Sequence, residues 1–91
     1  MEKYNSCSEN ISDEITFIVQ KFEGPIKQKV SSYYGIDIKD LVLDIEEAFI
    51  DDTKERKALF FVYDADENCY GVACPLDANG DITDYRCGKV G

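Results

Sequence analysis

Ala58-Leu59-Phe60-Phe61-Val62-Tyr63-Asp64-Ala65-Asp66-Glu67-Asn68-Cys69-Tyr70-Gly71-Val72-Ala73-Cys74 contains two β-prone runs separated by a polar break. Aromatic and β-branched side chains suit a pleated, half-buried surface, so both runs are predicted strands. Asp64 to Asn68 is turn chemistry. With Asp66-Glu67 as a two-residue turn, Tyr63 faces Tyr70, Phe61 faces Val72 and Leu59 faces Cys74. Facing residues point the same way and the side-chain period is two, so these six share the core face. Phe60, Val62, Gly71 and Ala73 then form the centre of the opposite, outer face.

Downstream, Asn79-Gly80 is the strongest short hairpin signal and reads as a type I′ turn. It pairs Ala78 with Asp81, Leu76 with Thr83, Cys74 with Tyr85 and Val72 with Cys87. On the outer side it pairs Pro75 with Asp84, Ala73 with Arg86 and Gly71 with Gly88. Upstream, Leu41 to Ile50 fits two periodicities. A helix would gather Leu41, Ile45, Ala48 and Phe49, whereas a strand would gather Leu41, Leu43, Ile45 and Phe49 and turn Asp44 and Glu46 outward. The strand is preferred, with Asp51 to Lys57 as the loop into the next strand.

Before this sheet lies a helical stripe: Ile15, Ile18, Val19, Phe22, Ile26 and Val30 recur at steps of three and four. Asn10 or Ser12 can cap it, and Asp13 and Glu14 suit the positive end of the helix dipole. Gly24-Pro25 interrupts the ladder, so either the helix kinks there or Pro25 starts a second helix; the unbroken phase favours one kinked helix ending near Tyr34, with Gly35 as a left-handed stop. Residues 1–10 are polar and expected to be loose. The fold class is therefore α+β: a kinked N-terminal helix on one face of a four-stranded antiparallel meander, in one domain spanning 1–91. The expected core is Ile15, Ile18, Phe22, Ile26, Val30, Leu43, Ile45, Leu59, Phe61, Tyr63, Val72, Cys74, Leu76 and Tyr85.

The 91 residues include 19 acids and 10 bases, a net charge of −9. Residues 37–52 hold seven of the acids and one base, and residues 64–84 hold six acids and no base. Such a field repels phosphates, so neither nucleic acid nor an anionic membrane is an expected partner. No apolar run reaches the ~20 residues of a membrane span and the first residues lack a secretory apolar region, which points to the cytoplasm. Cys7, Cys69, Cys74 and Cys87 are then expected as free thiols.

Candidate chemistry is sparse. Asp64-x-Asp66-x-Asn68 opens like an EF-hand calcium loop but has Cys69 in place of the glycine and Pro75 in place of the closing glutamate. With no histidine and no Cys-x-x-Cys, no zinc site is expected. No nucleophile–base pair, carboxylate couple or phosphate loop is evident, so no catalytic residue and no cofactor are assigned. A small enzyme or metal module is the least favoured reading.

What remains is surface. Phe60, Val62, Gly71 and Ala73, flanked by Asp44 and Glu46 on one side and by Asp84 beside Arg86 on the other, have the anatomy of a protein interface. The leading expectation is a non-enzymatic acidic module that binds a basic protein, comparable in charge and size to inhibitors such as immunity proteins. The other is a structural homodimer through the same face.

Overall fold

The computed structural model describes residues 13–90. Cys7, the expected loose segment and the Asn10 or Ser12 cap lie outside the described residues. Helix α1 runs Asp13–Tyr34 without a break at Pro25. Ile15, Ile18, Val19, Ile26 and Val30 are buried, while Gly24 and Pro25 are exposed. The backbone bond that Pro25 cannot make is therefore lost on the solvent side, where water can replace it. Gly35, at φ 69°, ends the helix as expected, and the Gly35 and Ile36 amides both donate to the Ser31 carbonyl at 2.9 and 3.1 Å.

The antiparallel sheet comprises β1 (Val42–Leu43), β2 (Phe49–Asp51), β3 (Lys57–Tyr63), β4 (Cys69–Pro75) and β5 (Arg86–Val90). Both β1 and β2 pair with the same side of β3, followed by β4 and β5. The expected α+β architecture and order hold, but the single strand over 41–50 does not. A 3₁₀ turn, Ile45–Glu47, splits it. Asp44 Oδ1 accepts from the Glu46 amide at 3.0 Å and the Ala48 amide donates to the Ile45 carbonyl at 3.2 Å, so the backbone has a local alternative to the ladder. Leu41 and Ala48 are buried on either side of the turn and Ile45 packs against the core. The two competing periodicities are thus each partly realised.

The β3–β4 register is one residue away from the expected one. Tyr63 pairs with Cys69, Phe61 with Gly71 and Leu59 with Ala73, while Phe60 pairs with Val72 and Val62 with Tyr70. Phe60 and Val62 are fully buried under α1, so they are core residues and not outer-face residues. Leu59, Phe61 and Tyr63, expected in the core, point outward. The cause is the turn. Asp64 to Asn68 is closed by Asp64 N–H to the Asn68 carbonyl (3.1 Å) and Glu67 N–H to the Asp64 carbonyl (3.0 Å), with Glu67 at φ 66°. The loop is three residues long instead of two, and one residue inverts every side chain of a strand.

The second turn has the same design. Asp77 N–H donates to the Asp81 carbonyl at 2.9 Å, Gly80 N–H donates to the Asp77 carbonyl at 3.0 Å, and Gly80 has φ 84°. Asn79 keeps a negative φ, so this is not the type I′ turn expected from Asn-Gly.

Two stability outcomes follow from this register. Phe60→Ala should cost about 3–5 kcal/mol, as large-to-small changes of buried aromatics do, and Phe61→Ala only about 1 kcal/mol. Urea unfolding midpoints check the order, and the reverse order would refute the register. Glu67→Gly should stabilise by about 0.5–1 kcal/mol by removing a left-handed non-glycine residue, read as a higher midpoint at unchanged slope.

Candidate protein-docking face

The helix covers one side of the sheet and leaves the other open. Pairing arranges the outer side in rows. Val42, Tyr63, Cys69 and Val90 form one, Phe61, Gly71 and Gly88 the next, and Phe49, Leu59, Ala73 and Arg86 a third. Val42 is 63% exposed, Phe49 48% and Val90 46%. Leu59, Phe61, Tyr63, Gly71 and Ala73 are half-buried by one another. The result is a contiguous apolar surface on a strongly acidic protein.

Gly71 has a role inside this face. A Cβ there would lie 3.3 Å from Val90 Cγ2 and 3.9 Å from Phe61 Cε1, so the missing side chain lets those two groups close over the strand. Gly71 is thus filled from within the face and leaves no room there for a partner backbone. The open position is its cross-strand neighbour Gly88, whose Cβ site has nothing within 4 Å.

The charges around the face divide into spent and unspent. Arg86 Nε lies 3.3 Å from Asp84 Oδ2 and Arg86 Nη1 lies 3.3 Å from Glu55 Oε1. Asp84 also accepts from the Tyr85 amide at 2.8 Å; this bond first, then Arg86, holds its carboxyl below the usual range. Lys57 Nζ is 3.7 Å from Asp51 Oδ2. Tyr63 Oη donates to Glu47 Oε1 at 2.6 Å; together with Cys69 this bond keeps the phenol protonated to higher pH than usual. Asp44 caps its turn. By contrast, among the described residues no hydrogen bond or ion pair reaches the Glu46 or Glu67 carboxylate.

Asp44 and Glu46 meet at the β1 end of the face. There a groove of about 610 Å³ opens between the 3₁₀ turn and the end of β3, walled by Val42, Leu43, Ile45 and Tyr63, with Asp44, Glu46 and Glu67 also lining it. A second depression, of about 310 Å³, lies where α1 meets the β2–β3 loop. Glu14 and Arg56, both part of its lining, are joined by two 2.6 Å hydrogen bonds, so those charges are already paired.

Of the residues singled out from the sequence, the structure puts some on the outer face and others beneath the helix. Gly71, Ala73 and Arg86 lie on the outer face, and Asp44, Glu46 and Asp84 lie at its margins. Phe60 and Val62 do not belong to it, and Leu59, Phe61, Tyr63, Val42, Phe49 and Val90 do. The signal that could have found the β3 residues is the shared Asp-Ala-Asx pattern of residues 64–66 and 77–79, which marks two turns of one length.

The thiols offer little chemistry. Cys69, Cys74 and Cys87 are free. Cys74 is buried on the helix side and burial pushes its thiol up to about 12, which suppresses the thiolate a nucleophile requires. Among the described residues no three His, Cys, Asp or Glu side chains are grouped to hold a metal ion, and no helix is long and apolar enough to cross a membrane. Comparison with family models, curated proteins and solved structures finds no match.

The turn that positions the face is acid-sensitive. Asp64 accepts from the Asp66 and Asn68 amides, from Asn68 Nδ2 and from Tyr70 Oη, all within 3.0 Å. These bonds, Asn68 foremost, hold its carboxyl below the ordinary value. A depressed carboxyl stabilises the fold above the unfolded pKa, ~3.9, and that contribution is lost as pH falls through the folded value. Asp64→Asn should therefore unfold at lower temperature than the parent above about pH 5, with the gap closing below about pH 4. Thermal unfolding across pH 3–7 checks it, and a gap independent of pH would contradict it.

Proposed function

We propose that this chain is a small non-enzymatic binding module whose outer sheet face docks a basic protein, in the manner of an acidic inhibitor. One observation carries the reading: the exposed apolar rows end beside carboxylates that have no partner, while the two bases on the face, Lys57 and Arg86, are each already paired. An apolar centre gives a partner contact area, and unspent negative charge at one end gives it direction and a faster encounter. Asp44, Glu46, Gly71, Ala73, Asp84 and Arg86 remain in the proposed footprint, joined by Phe61, Leu59 and Val42.

The second reading, a homodimer through the same rows, has the exposed Val42, Phe49 and Val90 in its favour. It has the −9 charge of each copy against it, because two like fields would be brought together.

Salt and one substitution separate the two. The immobilised chain should retain basic proteins of its native host at ~0.01 M salt, where the screening length is ~30 Å, and release them by ~1 M, where it is ~3 Å. Phe61→Glu should retain none. Equal retention at both salts would rule out electrostatic docking. A parent chain that sediments as a dimer at low micromolar concentration, with Phe61→Glu monomeric, would establish the homodimer instead.

A further inference from the structure

Within that docking reading, on which this inference rests, the geometry points to an arginine side chain of the partner as the occupant of the groove at the β1 end. The groove has two kinds of wall. Val42, Leu43, Ile45 and the Tyr63 ring supply apolar surface, which matches the three-carbon stem of arginine. Glu46 and Glu67 supply carboxylates with no partner among the described residues. Asp44 uses one oxygen on the Glu46 amide. No base lines the groove. A planar guanidinium can stack on a tyrosine ring and present separate N–H edges to two carboxylates, whereas an ammonium is a point charge that does neither. The Tyr63 ring is held for that role, because its hydroxyl is tied to Glu47 at 2.6 Å.

Glu67 supplies an independent sign. It sits at φ 66°, and the equivalent position of the twin turn is Gly80 at φ 84°. Glycine is the residue that conformation favours. Here a glutamate occupies it, and that residue is among those lining the groove. A local rule broken without structural gain is characteristic of a position kept for a contact.

The test uses the full chain and a short probe, acetyl-Ala-Arg-Ala-amide, followed by amide chemical shifts in NMR. Shifts should concentrate at Val42, Glu46, Tyr63 and Glu67. The citrulline peptide, isosteric but neutral, and the lysine peptide should each bind at least about fivefold more weakly than the arginine one, at the upper end for ion pairs open to solvent. Glu46→Gln and Glu67→Gly should each weaken the arginine peptide about two- to fivefold, in the range of exposed pairs. Glu67→Gly is the informative variant, because it should raise stability while lowering binding, which a folding defect cannot mimic.

Equal binding of the citrulline or lysine peptide would overturn the assignment, as would shifts centred elsewhere or none at all. Each of those results would leave the docking reading standing, since that is read separately from salt-dependent retention and Phe61→Glu.

Discussion

The outer face exists because of one carboxylate. Asp64 gathers four hydrogen bonds, two from the backbone of its own turn, one from Asn68 Nδ2 and one from the Tyr70 hydroxyl. The first two hold the loop inside the Asp64–Asn68 pair at three residues. The last ties the turn to a buried ring, and Tyr70 in turn packs on Tyr34 of α1 with ring centres 4.7 Å apart. Loop length, strand register and helix docking are therefore one coupled constraint. With it Phe60 and Val62 go under the helix and Phe61 and Tyr63 go out. Without it the opposite assignment has equally apolar residues on both sides of β3, and composition alone cannot choose between them.

Asp64 is one of a set. Asp37, Asp44, Asp51, Asp64 and Asp77 each accept from the amide two residues on, at 2.8 to 3.1 Å. A short carboxylate reaches that amide without strain, which is why aspartate marks turns. Glutamates behave differently here. Glu14 reaches Arg56, Glu23 reaches Lys27, Glu47 reaches Tyr63 and Glu55 reaches Arg86. Much of the acidity of both windows is thus architectural. At the groove, the carboxylates that no hydrogen bond or ion pair reaches among the described residues are those of Glu46 and Glu67.

The helix, its Gly35 stop and the order of the sheet were legible because each rests on local chemistry that tertiary packing does not contest. The β4–β5 register was legible for a less direct reason. Val72 pairs with Cys87 and Ala73 with Arg86, as a two-residue Asn-Gly turn implies. Yet the turn is one residue longer than that, and Leu76 bridges to Ile82, not Thr83. The strand returns to the expected register because Thr83 to Tyr85 carry an extra residue, with the Thr83 amide and hydroxyl both turned onto the Pro75 carbonyl at 2.9 and 3.2 Å. A longer turn and a bulge cancel. The same longer turn at Asp64 meets no bulge in β3 or β4, so there nothing cancels and the faces invert. Turn length was the missing quantity in both hairpins.

The break at Ile45–Glu47 also bears on how such an exposed face is tolerated. A long β1–β2 strand would leave a straight edge with free amides and carbonyls beside an apolar surface, which invites pairing between copies. The Asp44-capped turn cuts that edge into pieces of two and three residues. It also carries Ile45 to the core margin and Glu46 to the groove. The opposite edge, β5, is longer, but it carries Arg86 and Lys89 and no acid. Charge on an edge strand discourages unplanned pairing, and it leaves the β1 end as the part of the face where apolar contact and unspent negative charge coincide.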